Sequence, residues 1–137
     1  MSNLDTVNGI YAAFGQGDVP AILDQLADDV RWEDGAPDHG VPWLRPGTRK
    51  AHVQAFFECA GQSLDFTAFE VERVLDGGDM VVAVLHVAAV GRDGGQGSGH
   101  GFDNLEVHVW RFGADGKVHS FNHVVDTVQH VEVARGA

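Results

Sequence analysis

The chain has 137 residues, 44% hydrophobic and 21% charged, the balance of one globular domain with a real core and not of a disordered segment. Its net charge of −11 argues against nucleic acid and against anionic membrane surfaces, both of which require clustered Lys and Arg. One cysteine, Cys59, excludes an intrachain disulfide. A polar N-terminus and the lack of any apolar run of about 18–20 residues point to a cytoplasmic protein with no membrane partner.

Leu4, Val7, Tyr11 and Phe14 recur at helical spacing. Ser2 or Asn3 is positioned to cap this first helix, and Gly15 and Gly17 to end it. Asp18 caps a second helix with Pro20 in its first turn and Ile22, Leu23 and Leu26 on its buried side. Val30 and Trp32 begin a short strand. Residues 34–47 hold three of the four prolines and read as a stiff loop carrying His39 and Trp43, of the length of a functional lid. Thr48 caps a third helix whose stripe is Val53, Phe56, Phe57 and Ala60, and Gly61 stops it.

From Leu64 the period changes to two. Phe69, Val71 and Leu75 line one face of a strand, and Asp76–Asp79 turns the chain. Met80–Val90 is apolar on both faces except for His86. One layer of helices covers only one face of a sheet, so the other face is expected to meet a second copy in a homodimer. Gly91–Gly101 carries six glycines and reads as a flexible connection, without the lysine or the strand-to-helix context of a phosphate loop.

The chain is organised around residues 104–126, which read as two strands joined by a tight turn. Glu106, His108, Trp110 and Phe112 alternate with Leu105, Val107, Val109 and Arg111; Gly113–Gly116 makes a tight turn; His119, Phe121 and His123 alternate on the return. A four-residue loop sets Phe112 opposite Lys117, His108 opposite Phe121 and Glu106 opposite His123. Directly opposed Cβ atoms lie about 5 Å apart, so Glu106, His108 and His123 cluster on one face between Trp110 and Phe121. Ionisable groups between aromatic walls are the usual composition of a small-molecule site. Asp126 reads as a pocket carboxylate or as the cap of a last turn. His39, His52, His100, His119 and His130 read as loop, helix-surface or edge residues. With helices first and strands last, the class is α+β: about three N-terminal helices on a curved antiparallel sheet.

This pattern resembles the nuclear transport factor 2-like (cystatin-like) fold and, within it, the SnoaL-like, ketosteroid isomerase-related group. The resemblance rests on Tyr11 to Phe14 with Gly17 and Asp18, Trp32, Pro42 and Trp43, His108 and Trp110, Asp115 to Lys117, Phe121, and Asp126 with Thr127. It covers nearly the whole chain, so residues 1–137 are expected to be a single SnoaL-like domain. It implies a cone-shaped pocket between the sheet and the helices, in a group that includes isomerases, polyketide cyclases, dehydratases, epoxide hydrolases and non-catalytic proteins. Similar cyclases use an acidic base on the last strand, where this chain has His123. Similar isomerases use an Asp after the second helix, near Asp34, and a Tyr–acid oxyanion hole, for which Tyr11 is the only tyrosine available. Similar dehydratases use two histidines and an aspartate, a set for which His86 and His108 stand.

The expectation is therefore proton transfer next to a carbonyl of a hydrophobic substrate. His123 is the base, Glu106 orients it, and His108 or Tyr11 steadies the enolate oxygen. Trp32, Trp43, His86, Trp110, Phe121 and Asp126 complete the expected substrate pocket. The alternatives are a dehydratase using His86 and His108, and a protein that binds a hydrophobic metabolite without turnover. Glu106, His108 and His123 also have the ligand types of a two-histidine, one-carboxylate metal site. No compact metal motif occurs, and no metal or cofactor is expected.

Overall fold

Ser2 starts the chain's first helix by a reciprocal cap. Its hydroxyl accepts the Asp5 backbone N–H at 3.1 Å, and the Asp5 carboxylate accepts the Ser2 N–H at 3.3 Å. The structure, a computed structural model, describes residues 2–92 and 100–136. Helix α1 spans Asn3–Gly15 and buries Val7 and Ile10. Helix α2 spans only Val19–Leu23, capped by the Asp18 carboxylate on the Ala21 N–H. Leu26, expected on α2, instead opens strand β1, Leu26–Trp32, because its backbone pairs with Val118. A 3-10 turn at Pro42–Leu44 and the two-residue strand β2, Gly47–Thr48, break the expected loop.

Helix α3 spans Lys50–Ser63. Thr48 does not cap it, since Thr48 pairs with Arg31 in the sheet; Arg49, at φ 79°, holds the cap position and donates its N–H to Val30 O at 2.8 Å. Gly61 does not stop it either: the helix runs to Ser63 and passes into β3, Leu64–Asp76. Strands β4 (Met80–Gly91), β5 (Gly101–Phe112) and β6 (Val118–Val124) follow, then helix α4, Thr127–Arg135. The Gly-rich connection expected between β4 and β5 falls largely on residues 93–99, outside the described residues.

The six strands form one sheet in the order β2-β1-β6-β5-β4-β3. The α+β class holds, but the sheet is mixed, because β1 runs parallel to β6. Helices also do not all precede the strands: β1 and β2 intervene before α3, and α4 closes the chain. Bulges in β3 put Leu75 opposite Val82 and Phe69 opposite Val87, so these two residues do not share a face as their spacing suggests. The inner face carries Val81, Ala83, Leu85 and Val87 of β4 and Glu106, His108 and Trp110 of β5, all buried. The outer face stays open, with Leu105 62% and Val124 55% exposed. No helix among the described residues is long and apolar enough to cross a membrane.

The hairpin register differs from the sequence-based one. His108 lies opposite His123 and Trp110 opposite Phe121, while Phe112 pairs with Val118. The turn closes as expected, with the Gly113 N–H on Lys117 O at 3.0 Å and Gly116 at φ 75°. His119 is an extra residue on the return strand, bulged out toward Asp115. Past the bulge the slip is two residues, an even number, so His123 and Phe121 keep the inner face.

Candidate functional site

A cavity of about 500 Å³ lies between the inner sheet face and the helices. Its walls are mostly aromatic, including Phe14, Phe56, Phe57 and Phe69 from the helices and β3. Trp32 and Phe121 stack with ring centroids 4.2 Å apart, and Trp110 packs on Phe121 at 4.4 Å. The polar side chains that border it are Tyr11, Glu106, His108, His123 and His130, together with the Asp65–Arg92 ion pair at 3.2 Å.

Glu106 is the centre of one network. Its carboxylate accepts from His108 Nε2 at 3.1 Å and from Asn104 Nδ2 at 3.2 Å. His108 Nδ1 is 2.7 Å from the Tyr11 hydroxyl, which accepts the Trp110 indole N–H at 3.1 Å. With a carboxylate on Nε2, that nitrogen carries the His108 proton, so Nδ1 accepts from Tyr11. The order of donation is Trp110 to Tyr11 to His108 to Glu106. A second branch arrives from α4. The Trp43 indole N–H donates to His130 Nδ1 at 2.9 Å, which leaves His130 Nε2 protonated and facing Glu106 Oε2 at 3.6 Å, without a hydrogen-bond partner.

His123 belongs to a separate pair. Its Nδ1 lies 3.2 Å from each oxygen of Glu33, and Glu33 Oε1 also accepts the His123 backbone N–H at 2.7 Å. Glu33 is buried although it follows the inward-facing Trp32 directly. Alternation would point it away; a positive φ of 54° turns its side chain inward. Such a conformation is uncommon for a non-glycine residue and is frequent at functional sites. The His123 and His108 rings meet edge-on, with centroids 4.8 Å apart. One ligand atom each of Glu106, His108 and His123 lies within 4.8 Å of the other two.

The network separates the charges. Burial works to raise the Glu106 carboxyl, but the N–H groups of His108 and His130 facing it outweigh burial and hold it far below the ordinary carboxylate range. Burial lowers His108 to about 4, aided by the charge of His123 and opposed by Glu106. Burial opposes charge on His123 too, yet the Glu33 carboxylate overrides it and the value is raised. Burial pushes the Tyr11 hydroxyl well above the ordinary phenol value. The result is two neighbouring imidazoles of opposite tendency, the pattern that separates acid from base roles in active sites.

Tyr11, Trp32, Trp43, Glu106, His108, Trp110, Phe121 and His123 all border the cavity. Two expected pocket residues do not. His86 lies on the outer face, hydrogen-bonded to Asp103, because it alternates with the inward Leu85 and Val87. Asp126 is exposed and caps α4 through the Gln129 N–H, the other role open to it. Glu106 does not orient His123; Glu33 does. His130, expected at the surface, is buried against Phe102, their ring centroids 3.8 Å apart. Its spacing to Val133 and Ala134, one buried helix stripe behind the Asp126 cap, was the available signal. No sequence signal marks the positive φ of Glu33.

The family model described as SnoaL-like domain matches residues 7–121. An NTF2-like protein of unknown function from Burkholderia pseudomallei K96243 is 24% identical and superposes with a TM-score of 0.80 over 98% of both chains. A protein from Pseudomonas putida KT2440, provisionally described as a polyketide cyclase, is 20% identical, with a TM-score of 0.74 over 98% of both chains. TerC, crystallised with polyporic acid, is 22% identical, with a TM-score of 0.74 over 96% of this chain and 97% of its own. At these identities the likeness shows a shared NTF2-like fold. No curated protein matches the chain.

Proposed function

Since the chain belongs to the SnoaL-like domain family, whose model spans residues 7–121, we propose that it is an acid–base enzyme moving a proton next to a carbonyl of a flat, mostly apolar small molecule. The observation that carries this reading is His123 at the wall of an aromatic cavity with the Glu33 carboxylate behind it. Glu33 holds Nδ1, which leaves Nε2 as the nitrogen for a substrate. A carboxylate behind an imidazole fixes its tautomer and raises its basicity, the arrangement of a general base near neutral pH.

In this reading His123 Nε2 takes a proton from the carbon beside the carbonyl, and the imidazolium formed is stabilised by Glu33. Negative charge moves to the carbonyl oxygen. The Tyr11 hydroxyl serves that oxygen by turning its proton from His108 Nδ1 to the substrate, while the Trp110 N–H keeps the phenol oxygen located. His123 then returns the proton to another carbon, or the carbanion attacks a second carbonyl and closes a ring. Polyporic acid in TerC and the cyclase description of the Pseudomonas putida neighbour support a small-molecule occupant of this kind. The dehydratase alternative loses half of its histidine pair with His86 on the outer face.

The partner is a second copy of the chain. The outer face of β4 and β5 presents Val82, Val84, Leu105, Val107 and Val109 with no helix over it among the described residues, and apolar surface of this kind favours association through the sheet.

Two measurements test the catalytic reading. Planar ketones and phenols titrated at about pH 5.5 and 8, on either side of the ordinary histidine value, are expected to quench tryptophan fluorescence saturably. A bound ketone in D₂O is expected to exchange its α-protons, read by NMR, and His123→Ala is expected to lose exchange while keeping the ligand. Quenching without exchange in the native chain would make this a binding protein and overturn the enzymatic reading.

A further inference from the structure

We propose that Glu106, His108 and His123 also bind one divalent transition-metal ion of the Zn²⁺ class, and that the metal competes with the transferred proton for Nε2 of His123. The binding stands on geometry alone; only the competition rests on the proton-transfer reading.

The donor set is two imidazoles and one carboxylate, which suits borderline transition metals and not Mg²⁺ or Ca²⁺, ions that take oxygen ligands. The three ligand atoms lie within 4.8 Å of one another. Tetrahedral ligands at about 2.1 Å from a metal sit roughly 3.4 Å apart. His108 Nε2 and Glu106 Oε1, at 3.1 Å, are already close to that spacing. The widest pair has to close by about 1.4 Å at most, a side-chain adjustment.

The outer atoms of all three ligands are already held. Metal-bound histidines characteristically give their second nitrogen to a carboxylate or another polar partner, which fixes the ring. Glu33 does this for His123 Nδ1, and Tyr11 lies on His108 Nδ1. Asn104 holds Glu106 Oε2, with His130 Nε2 aimed at the same oxygen and otherwise unpartnered in a buried position. The three ligand atoms thus lie close together at the wall of the cavity, which all three residues line.

Protons balance on binding. His123 gives the proton of Nε2, when it carries one, to solvent. His108 stays neutral and moves its proton from Nε2 to Nδ1, which then donates to the Tyr11 oxygen and turns the Tyr11 hydroxyl toward the cavity. Glu106 loses the His108 N–H and keeps the Asn104 hydrogen bond, with His130 Nε2 still facing it at 3.6 Å.

The test is a Co²⁺ titration of the full chain after chelator treatment and dialysis, read by visible absorption. One equivalent is expected to give a ligand-field band that Zn²⁺ displaces. His123→Ala is expected to abolish it, and Glu33→Gln, which keeps all three ligands, to weaken binding about 10–100-fold. His86→Ala removes the outer-face His–Asp pair and is expected to change nothing. Absence of the band up to millimolar Co²⁺ would overturn the proposal, as would a band surviving in folded His123→Ala or a Glu33→Gln variant that binds Co²⁺ as the native chain does. Glu33→Gln supplies the test if His123→Ala does not fold. Exchange of α-protons in chelated protein that Co²⁺ suppresses supports the competition; exchange that needs the metal overturns it. With no exchange in any state, the proton-transfer reading fails and the absorption titration alone decides the metal site.

Discussion

Buried Glu33 and partly buried His123 form a pair held at three points: both Glu33 oxygens lie 3.2 Å from His123 Nδ1, and one also accepts the His123 backbone N–H at 2.7 Å. The pair joins the end of β1 to β6, across strands that run parallel. The residue that orients the candidate base therefore comes from the bend just after β1, remote in sequence from β6.

Glu33→Gln is expected to lower the His123 pKa, which stands above its ordinary value because the Glu33 charge outweighs burial. A histidine value raised by folding stabilises the protein fully below about pH 6.5, and this is lost as pH rises through the folded value. The variant is thus expected to lose roughly 1.5–3 kcal/mol in acid, the worth of hydrogen bonds to a charged group, and less at pH 8.5. Urea unfolding at pH 6 and 8.5 reads the difference. Because the base works only when neutral, α-proton exchange is expected to begin at lower pH in the variant. Equal losses at both pH values would contradict the assigned pair.

Acid is expected to destabilise the native chain between about pH 6.5 and 4. Burial holds His108 at about 4, so across that window the unfolded chain binds a proton that the folded one does not. Stability then falls as pH drops, by an amount on the order of 3 kcal/mol from His108. Glu106, held below its ordinary value of 4.5, adds a further loss at lower pH as it is forced to protonate. Urea midpoints at pH 7, 5.5 and 4 measure this, and a flat profile would show that His108 is not held neutral by burial.

Tyr11→Phe removes one oxygen and leaves two partners, the Trp110 N–H and His108 Nδ1, without it. A buried polar group left unsatisfied costs about 1–3 kcal/mol. Loss of one oxyanion donor is expected to slow exchange about 10²–10³-fold, with ligand quenching retained. Exchange at the native rate would remove Tyr11 from the mechanism.

His86→Ala is expected to leave quenching and exchange unchanged, since His86 faces away from the cavity. A loss of ligand binding in this variant would revive the dehydratase alternative.

Leu105→Asp is expected to convert a dimer to a monomer at micromolar concentration in sedimentation velocity, because Leu105 stands 62% exposed on the uncovered sheet face. A native chain that sediments as a monomer would refute the sheet-face dimer.

Period and composition alone determined the local elements and much of the inner surface. Alternation along 104–112 and the Gly113–Gly116 turn put Glu106, His108 and Trp110 on one face, and the even slip of the return strand left Phe121 and His123 with them. Helical spacing marked Tyr11 in the same way. Spacing could not reveal how the elements meet. Whether β4 turned His86 inward or outward depended on its pairing with β5 and on which face the helices covered, both long-range facts. The inward turn of Glu33 depends on one backbone angle imposed by the β1–β6 junction, where its N–H meets Phe121 O at 2.8 Å. The approach of His130 to Glu106 depends on α4 folding back over β5. Local periodicity is written residue by residue, whereas the pairing of carboxylate with imidazole is decided by contacts between segments some 90 residues apart, and only the tertiary structure fixes those.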